Sequence, residues 1–231
     1  MNSKLTRRGA LRAIAGLGIG AAATGCGGGG SGGEGTVETP LSCVLTPEQV
    51  EGPFFLDTGL LRRDITEDRV GAPLRLELRL ARVDGASCAP LAGALVEAWH
   101  ADADGVYSGY PASAGNLRDA TGETFLRGYQ VSDDRGVVEF STIYPGWYPG
   151  RTVHIHLMVR LDATRVLTTQ VYFPESDNDA VLSVEPYASR GQRATTNATD
   201  FVVGQSLDEL ICAVSRSGDG YVARYGLGIT G

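Results

Sequence analysis

Leu74, Leu76, Leu78 and Leu80 alternate with Arg75, Glu77, Arg79 and Ala81. A two-residue period of this kind predicts a strand with one face in a core and the other in water. Ala94 to Trp99 is a second, shorter apolar run. Thr124 to Val131 alternates loosely and enters the turn sequence Asp133-Asp134-Arg135-Gly136, after which Val137 to Ile143 follows. These two runs are expected to form a hairpin. Alternation returns with His154, His156, Met158 and Arg160 on one face and Ile155, Leu157, Val159 and Leu161 on the other. Val166 to Phe173 is its expected partner, across a turn at Asp162-Ala163-Thr164. Pro174 to Thr199 is polar and irregular, with room for one helical turn. Leu207 to Arg216 and Tyr221 to Ile229 flank Ser217-Gly218-Asp219-Gly220, a further hairpin signal. No long amphipathic helix and no internal repeat stands out. Short strands separated by turn signals predict an all-β fold, an antiparallel β-sandwich with long connecting loops.

The start of the chain has a different composition. Lys4, Arg7, Arg8 and Arg12 precede Ala13 to Thr24, a small apolar stretch too short to cross a bilayer, which marks a targeting segment. Thr6-Arg7-Arg8-Gly9-Ala10-Leu11 is similar to a twin-arginine export signal; an ordinary secretory signal with an incidental arginine pair is the alternative. Ala23-Thr24-Gly25-Cys26 is similar to a bacterial lipoprotein cleavage site, which would leave the mature chain held to a membrane surface by acyl chains on Cys26. Glycine and serine between Gly27 and Gly35 make a flexible tether. The expected division is a signal peptide over 1–26, a tether over 27–40 and one sandwich domain over 41–231. The expected location is outside the cytoplasm, anchored on the periplasmic or extracellular face.

Export would expose the cysteines to an oxidising compartment, where disulfides persist. Cys43 and Cys88 flank turn-like sequence and are expected to pair, tying the N-terminal segment to the domain. Cys212 lies in an apolar run and reads as a buried free thiol. The count of four cysteines does not by itself fix this choice. A net charge of -7, a pI near 5.0 and the absence of a basic patch argue against nucleic acid as a partner.

The candidate chemistry lies between Tyr144 and His156, which reads Tyr-Pro-Gly-Trp-Tyr-Pro-Gly-Arg-Thr-Val-His-Ile-His. On a strand His154 and His156 project to one face, as a pair of metal ligands would. Two histidines serve zinc, copper or iron alike. A zinc hydrolase would add His100, with Asp102 and Asp104 in reserve, although polar residues in such a turn-rich loop are usually solvated. Tyrosine is the other candidate donor. A phenol titrates near 10, so it ligates only a strong Lewis acid such as Fe(III). Two tyrosinates and a hydroxide would balance a trivalent ion, with two neutral imidazoles completing the set. Tyr148 sits six residues before His154 across a sharp turn, and Tyr107 follows a glycine-containing loop. Each tyrosine taken alone reads more simply as packing. A catalytically inert reading also stands: a lipid-anchored cell-surface binding sandwich with its histidines packed in a strand.

Three segments carry a resemblance. Glu97-Ala98-Trp99-His100-Ala101-Asp102 through Gly105-Val106-Tyr107-Ser108-Gly109, Phe125 to Gln130, and Thr142 to Arg151 with His154-Ile155-His156 are similar to the intradiol ring-cleavage dioxygenases, non-haem Fe(III) enzymes acting on catechols, hydroxyquinol and protocatechuate. Leu45-Thr46-Pro47-Glu48 and Glu51-Gly52-Pro53-Phe54-Phe55 resemble the entry to that domain. The signal, the tether and the Cys43/Cys88 pair resemble an exported branch. The resemblance implies Tyr107 and Tyr148 as tyrosinate ligands, Tyr148 being the one that leaves when substrate binds, and His154 and His156 as imidazole ligands. It implies Arg151 beside the substrate ring, Gln170 near the dioxygen pocket, and Trp99 and Trp147 in the vicinity of the site. The implied reaction cleaves a catechol between its hydroxylated carbons with O2, giving a muconate-type diacid. The extended helical N-terminal region of catechol 1,2-dioxygenases has no counterpart here, and the Tyr148–His154 linker is short.

Overall fold

The computed structural model describes residues 38, 39 and 41–230. The segment expected to target the chain, Cys26 and the glycine-rich stretch expected as a tether lie outside the described residues. The elements in chain order are β1 (Pro73–Asp84), β2 (Ser87–Pro90), β3 (Leu95–Trp99), β4 (Arg127–Val131), β5 (Val137–Ile143), β6 (His154–Leu161), β7 (Thr164–Tyr172), α1 (Glu175–Leu182), α2 (Leu207–Leu210), β8 (Ala213–Ser217) and β9 (Gly220–Thr230). They make two sheets. One has the order β4-β3-β6-β7 and is antiparallel throughout. The other has the order β2-β1-β9-β8, with β5 also on β1. Its one parallel pairing is β1 with β9.

The leucine alternation of β1 does what its period predicts. Leu74, Leu76, Leu78 and Leu80 are buried and belong to one core cluster with Val96 and Ala98 of β3, Ile155, Leu157 and Val159 of β6, and Leu227 of β9. Each of the leucine, isoleucine and valine side chains contributes about 1.5–3 kcal/mol by leaving water. The core therefore lies between the sheets and holds β6 by its odd-numbered face. Its even-numbered face, with the two histidines, points away from that core. It is nevertheless buried from His154 to Met158, because an N-terminal strap crosses it. The strap is fixed to β7 where Gln49 N donates to Thr168 O (2.9 Å), Thr169 Oγ1 to Pro47 O (2.8 Å) and Gln170 Nε2 to Val50 O (2.7 Å).

Three expectations change. The runs ending at Val131 and beginning at Val137 are not a hairpin: β4 pairs with β3, and β5 pairs with β1 in the other sheet. The turn between them crosses the sandwich, with Asp133 Oδ1 accepting from Arg135 N (2.9 Å) and Val137 N (2.7 Å). Alternation reports which face of a strand is buried, and both sheets bury a face. Leu207–Leu210, expected as strand, is the short helix α2, and the last hairpin is confined to β8 and β9. The Pro174–Thr199 region holds the eight-residue helix α1 rather than a single turn. Cys43 and Cys88 are bonded, and Cys212 is free and buried, as expected.

Candidate metal centre

Strand register assembles the site in rows. His156 of β6 is flanked by Trp99 on β3 and Gln170 on β7, and His154 faces Tyr172 on β7. His154 Nδ1 lies 2.6 Å from Thr152 O, so it carries the proton and donates, which turns the Nε2 lone pair into the site. Tyr107 Oη donates to that Nε2 at 3.3 Å, and His156 Nε2 lies 3.1 Å from it. Tyr148 stands over the group, its ring 5.5 Å from that of Tyr107 and 5.6 Å from that of His154. The structure thus brings together Tyr107, Tyr148, His154 and His156.

Burial holds both imidazoles well below their ordinary range, the Arg151 charge adding to it for His154 and the neighbouring His154 for His156. Both rings are neutral at neutral pH. His156 Nδ1 is buried and has no hydrogen-bond partner among the described residues. If it holds the proton, that donor is unpaired and two Nε2 lone pairs face each other across 3.1 Å; if Nε2 holds it, Nδ1 is an unpaired buried acceptor. A cation between the Nε2 atoms would relieve the facing lone pairs of the first arrangement. Burial also raises both phenols, Tyr107 to well above its usual value. Their phenolates form only against a strong positive charge. Two imidazoles and two phenols therefore fit a hard, highly charged metal ion.

His100 is not part of the group. Its Nε2 contacts Thr142 Oγ1 (2.7 Å) and its Nδ1 contacts Ala101 O (2.8 Å), and burial lowers its pKa to about 4. Asp102 Oδ1 accepts from Asp104 N and Val106 N, shaping the loop before Tyr107. No cluster of three or more His, Cys, Asp or Glu able to hold a metal occurs among the described residues. The zinc trio is not assembled.

The loops carrying the two tyrosines are locked together. Tyr107 N donates to Asn116 Oδ1 (3.0 Å), and Asn116 Nδ2 donates back to Tyr107 O (2.7 Å). Gly105 lets Trp147 O approach where any Cβ would collide. Arg190 sits 4.2 Å over the Trp147 ring and donates to Trp147 O and Ala103 O. Trp147 thus serves the site by holding its neighbour's loop. Trp99 packs directly on His156.

Arg151 and Gln170 meet behind Tyr148. Arg151 Nη1 donates to Tyr148 Oη (3.3 Å) and Nη2 to Gln170 Oε1. Gln170 also accepts from Tyr172 Oη (3.1 Å), so both ends of its amide are occupied. Four contributors were not singled out in the sequence as part of the site. Asp200 grips Arg151, Asn116 brackets Tyr107, Phe54 stacks on Tyr107 at 4.6 Å, and the Arg127 guanidinium lies 5.9 Å from the Tyr107 ring. Phe54 and Arg127 fell inside the segments that carried the resemblance. Asp200 and Asn116 reach the site from loops without periodicity.

Comparison with known proteins agrees with this arrangement. A family model described as Dioxygenase matches residues 50–219. Catechol 1,2-dioxygenase 1 of Acinetobacter lwoffii is 30% identical over 148 residues, 54% of this chain and 45% of that protein. The chain spans about half the length of the curated relatives it matches. The solved intradiol ring-cleavage dioxygenase of Tetranychus urticae is 31% identical with a TM-score of 0.74, covering 81% of this chain and 95% of that one. The dioxygenase domain of a carbohydrate-binding fusion from Streptomyces sp. SirexAA-E is 30% identical with a TM-score of 0.58, covering 81% and 99%. With its histidine pair, its two tyrosines and its sandwich all in place, the chain belongs to the intradiol ring-cleavage dioxygenase family.

Proposed function

We propose that this protein is a non-haem Fe(III) intradiol dioxygenase that opens a catechol-type ring between its hydroxylated carbons with O2, giving a muconate-type diacid. The observation that carries this reading is the convergence of Tyr107, Tyr148, His154 and His156. Fe(III) held there would supply Lewis acidity toward the catechol and positive charge for the phenolates. Tyr107, His154 and His156 are the fixed holders, being fully buried and bracketed by Asn116, Thr152 and Trp99. Tyr148 is the holder able to leave: it is only half-buried, and exposed Pro149 and Gly150 follow it. Tyr148 Oη, within reach of Arg151 Nη1, would be placed to take a catechol proton. Arg151 presents a permanent positive charge to the negative charge that builds on the ring. Phe54, stacked on Tyr107 and edge-on to Tyr148, helps exclude water there.

Relatives named for catechol, chlorocatechol and 6-chlorohydroxyquinol support a catechol-type substrate. Oxygen uptake by the iron-loaded protein with catechol, hydroxyquinol and protocatechuate tests the activity and ranks the ring substituents. The loaded protein should be red to burgundy from phenolate-to-iron charge transfer. A protein that stays colourless after loading and consumes no oxygen with any of the three overturns the reading. We further propose that the chain works outside the cytoplasm, anchored through lipid on Cys26. The Cys43–Cys88 disulfide supports this, since such bonds persist in oxidising compartments. Labelled palmitate incorporated by the wild type and not by Cys26→Ala tests the anchor.

A further inference from the structure

Arg151 is buried, and among the described residues its charge is met by one carboxylate, that of Asp200. The geometry of that pair is unusual in a useful way. Carboxylates commonly take an arginine through two parallel N–H groups on different nitrogens. Here Asp200 takes the side of the guanidinium alone: Arg151 Nε donates to Oδ1 at 3.1 Å and to Oδ2 at 2.9 Å. The end of the guanidinium is left to Tyr148 Oη, Gln170 Oε1 and Tyr172 Oη. Asp200 is itself fixed to both flanking backbones. Thr152 N donates to Oδ2 and Val202 N to Oδ1, each at 2.8 Å. Every contact of the carboxylate is thus accounted for within the protein, and its side chain is fully shielded from solvent.

The structure assigns Asp200 as the positioning residue that aims Arg151 at Tyr148 and the substrate position. A buried cation without a partner is costly, so something must offset Arg151. A carboxylate at the fork would do so by covering the nitrogens that face the site. Asp200 offsets the charge from the side and fixes the guanidinium plane, leaving the fork directed at the reacting groups. What Arg151 does there rests on the dioxygenase reading, whereas the Asp200–Arg151 contact does not.

The test uses the full chain in two states. In iron-free protein, the Arg151 Nε–H resonance, identified by its loss in Arg151→Lys, should be protected from solvent exchange. In Asp200→Asn, which keeps shape and one acceptor oxygen, its exchange should quicken at least tenfold. In iron-loaded protein, Asp200→Asn should keep the charge-transfer colour and bind catechol with a KM within threefold of wild type, while kcat falls at least tenfold. Adding Asp200→Asn to Arg151→Lys should then cost less than a further twofold, because the residue it aims is already altered. Asp200→Glu, which keeps the charge but displaces it by one methylene, should show the same kcat-selective loss and covers the case in which the asparagine variant does not fold. Unchanged Nε–H protection, or effects that multiply in the double variant, would overturn the assignment. An inactive wild type would instead sink the dioxygenase reading, and the exchange measurement would still decide the role of Asp200.

Discussion

Trp99 lies flat on His156, ring centroids 4.8 Å apart and planes within 9°. The two histidines are therefore held by different forces. His154 is oriented by the bond from Nδ1–H to Thr152 O, whereas His156 Nδ1 has no partner among the described residues and its ring is set by packing. Trp99 covers its face, and Gly52 approaches its edge. A Cβ on Gly52 would stand 3.0 Å from His156 Cε1, and the backbone there has φ +76, a conformation that favours glycine. Gly52→Ala should therefore cost about 1–3 kcal/mol of stability and displace His156. Metal analysis should find its iron occupancy well below wild type under equal loading. Full occupancy with unchanged melting would mean that packing does not set the ring.

The two tyrosines should differ as holders. Tyr107 is buried and bracketed by Asn116, while Tyr148 is half-exposed on a turn that ends at Gly150. Tyr107→Phe should lose most of the iron. Tyr148→Phe should keep iron with a weakened colour, and should slow catechol binding by about a hundredfold, the usual range for losing a proton acceptor. Stopped-flow absorbance separates the two. Wild-type binding kinetics in Tyr148→Phe would remove that residue from the mechanism.

How far the sequence reached depended on the kind of regularity involved. Period two put Leu74 to Leu80 in the core and His154 and His156 on one face, because a strand's pleat converts spacing directly into side. The same period could not say that β5 joins β1 rather than β4, since sheet partners are chosen by burial across the whole sandwich. Tyr107 and Tyr148 were legible through motifs around turns. Asp200 was not: it reaches Arg151 from 49 positions away in an irregular loop, where one aspartate looks like any other. His100 was misleading for the opposite reason. Its place beside two aspartates looks like a ligand loop, yet both ring nitrogens are spent on Thr142 and Ala101.

That buried His100 gives the iron-free protein a pH limb. Burial lowers its pKa from 6.5 to about 4, so between those values the unfolded chain binds a proton that the folded chain does not. Stability should be fully present above pH 6.5 and fall as the pH drops toward 4, by about 3 kcal/mol from this residue. His154 and His156 shift in the same direction. His100→Gln, which can still reach Thr142, should flatten part of the slope. Identical melting curves for wild type and variant across this window would show that His100 is not its source.

Reduction of Cys43–Cys88 should separate stability from activity. The bond closes a separation of 45 residues, for which chain-entropy reasoning gives about 4 kcal/mol. In a domain of this size that is a fall in melting temperature of about 10 °C. Catalysis should change little, because the strap from Cys43 to the site is held independently at Gln49–Thr168, Thr169–Pro47 and Gln170–Val50. The bond therefore anchors the outer end of the strap, while Gly52 and Phe54 stay against His156 and Tyr107. Cys88→Ser should melt lower than wild type with kcat within twofold. A large loss of kcat without a loss of melting temperature would show instead that the disulfide, and not the strap's own hydrogen bonds, holds Gly52 in place.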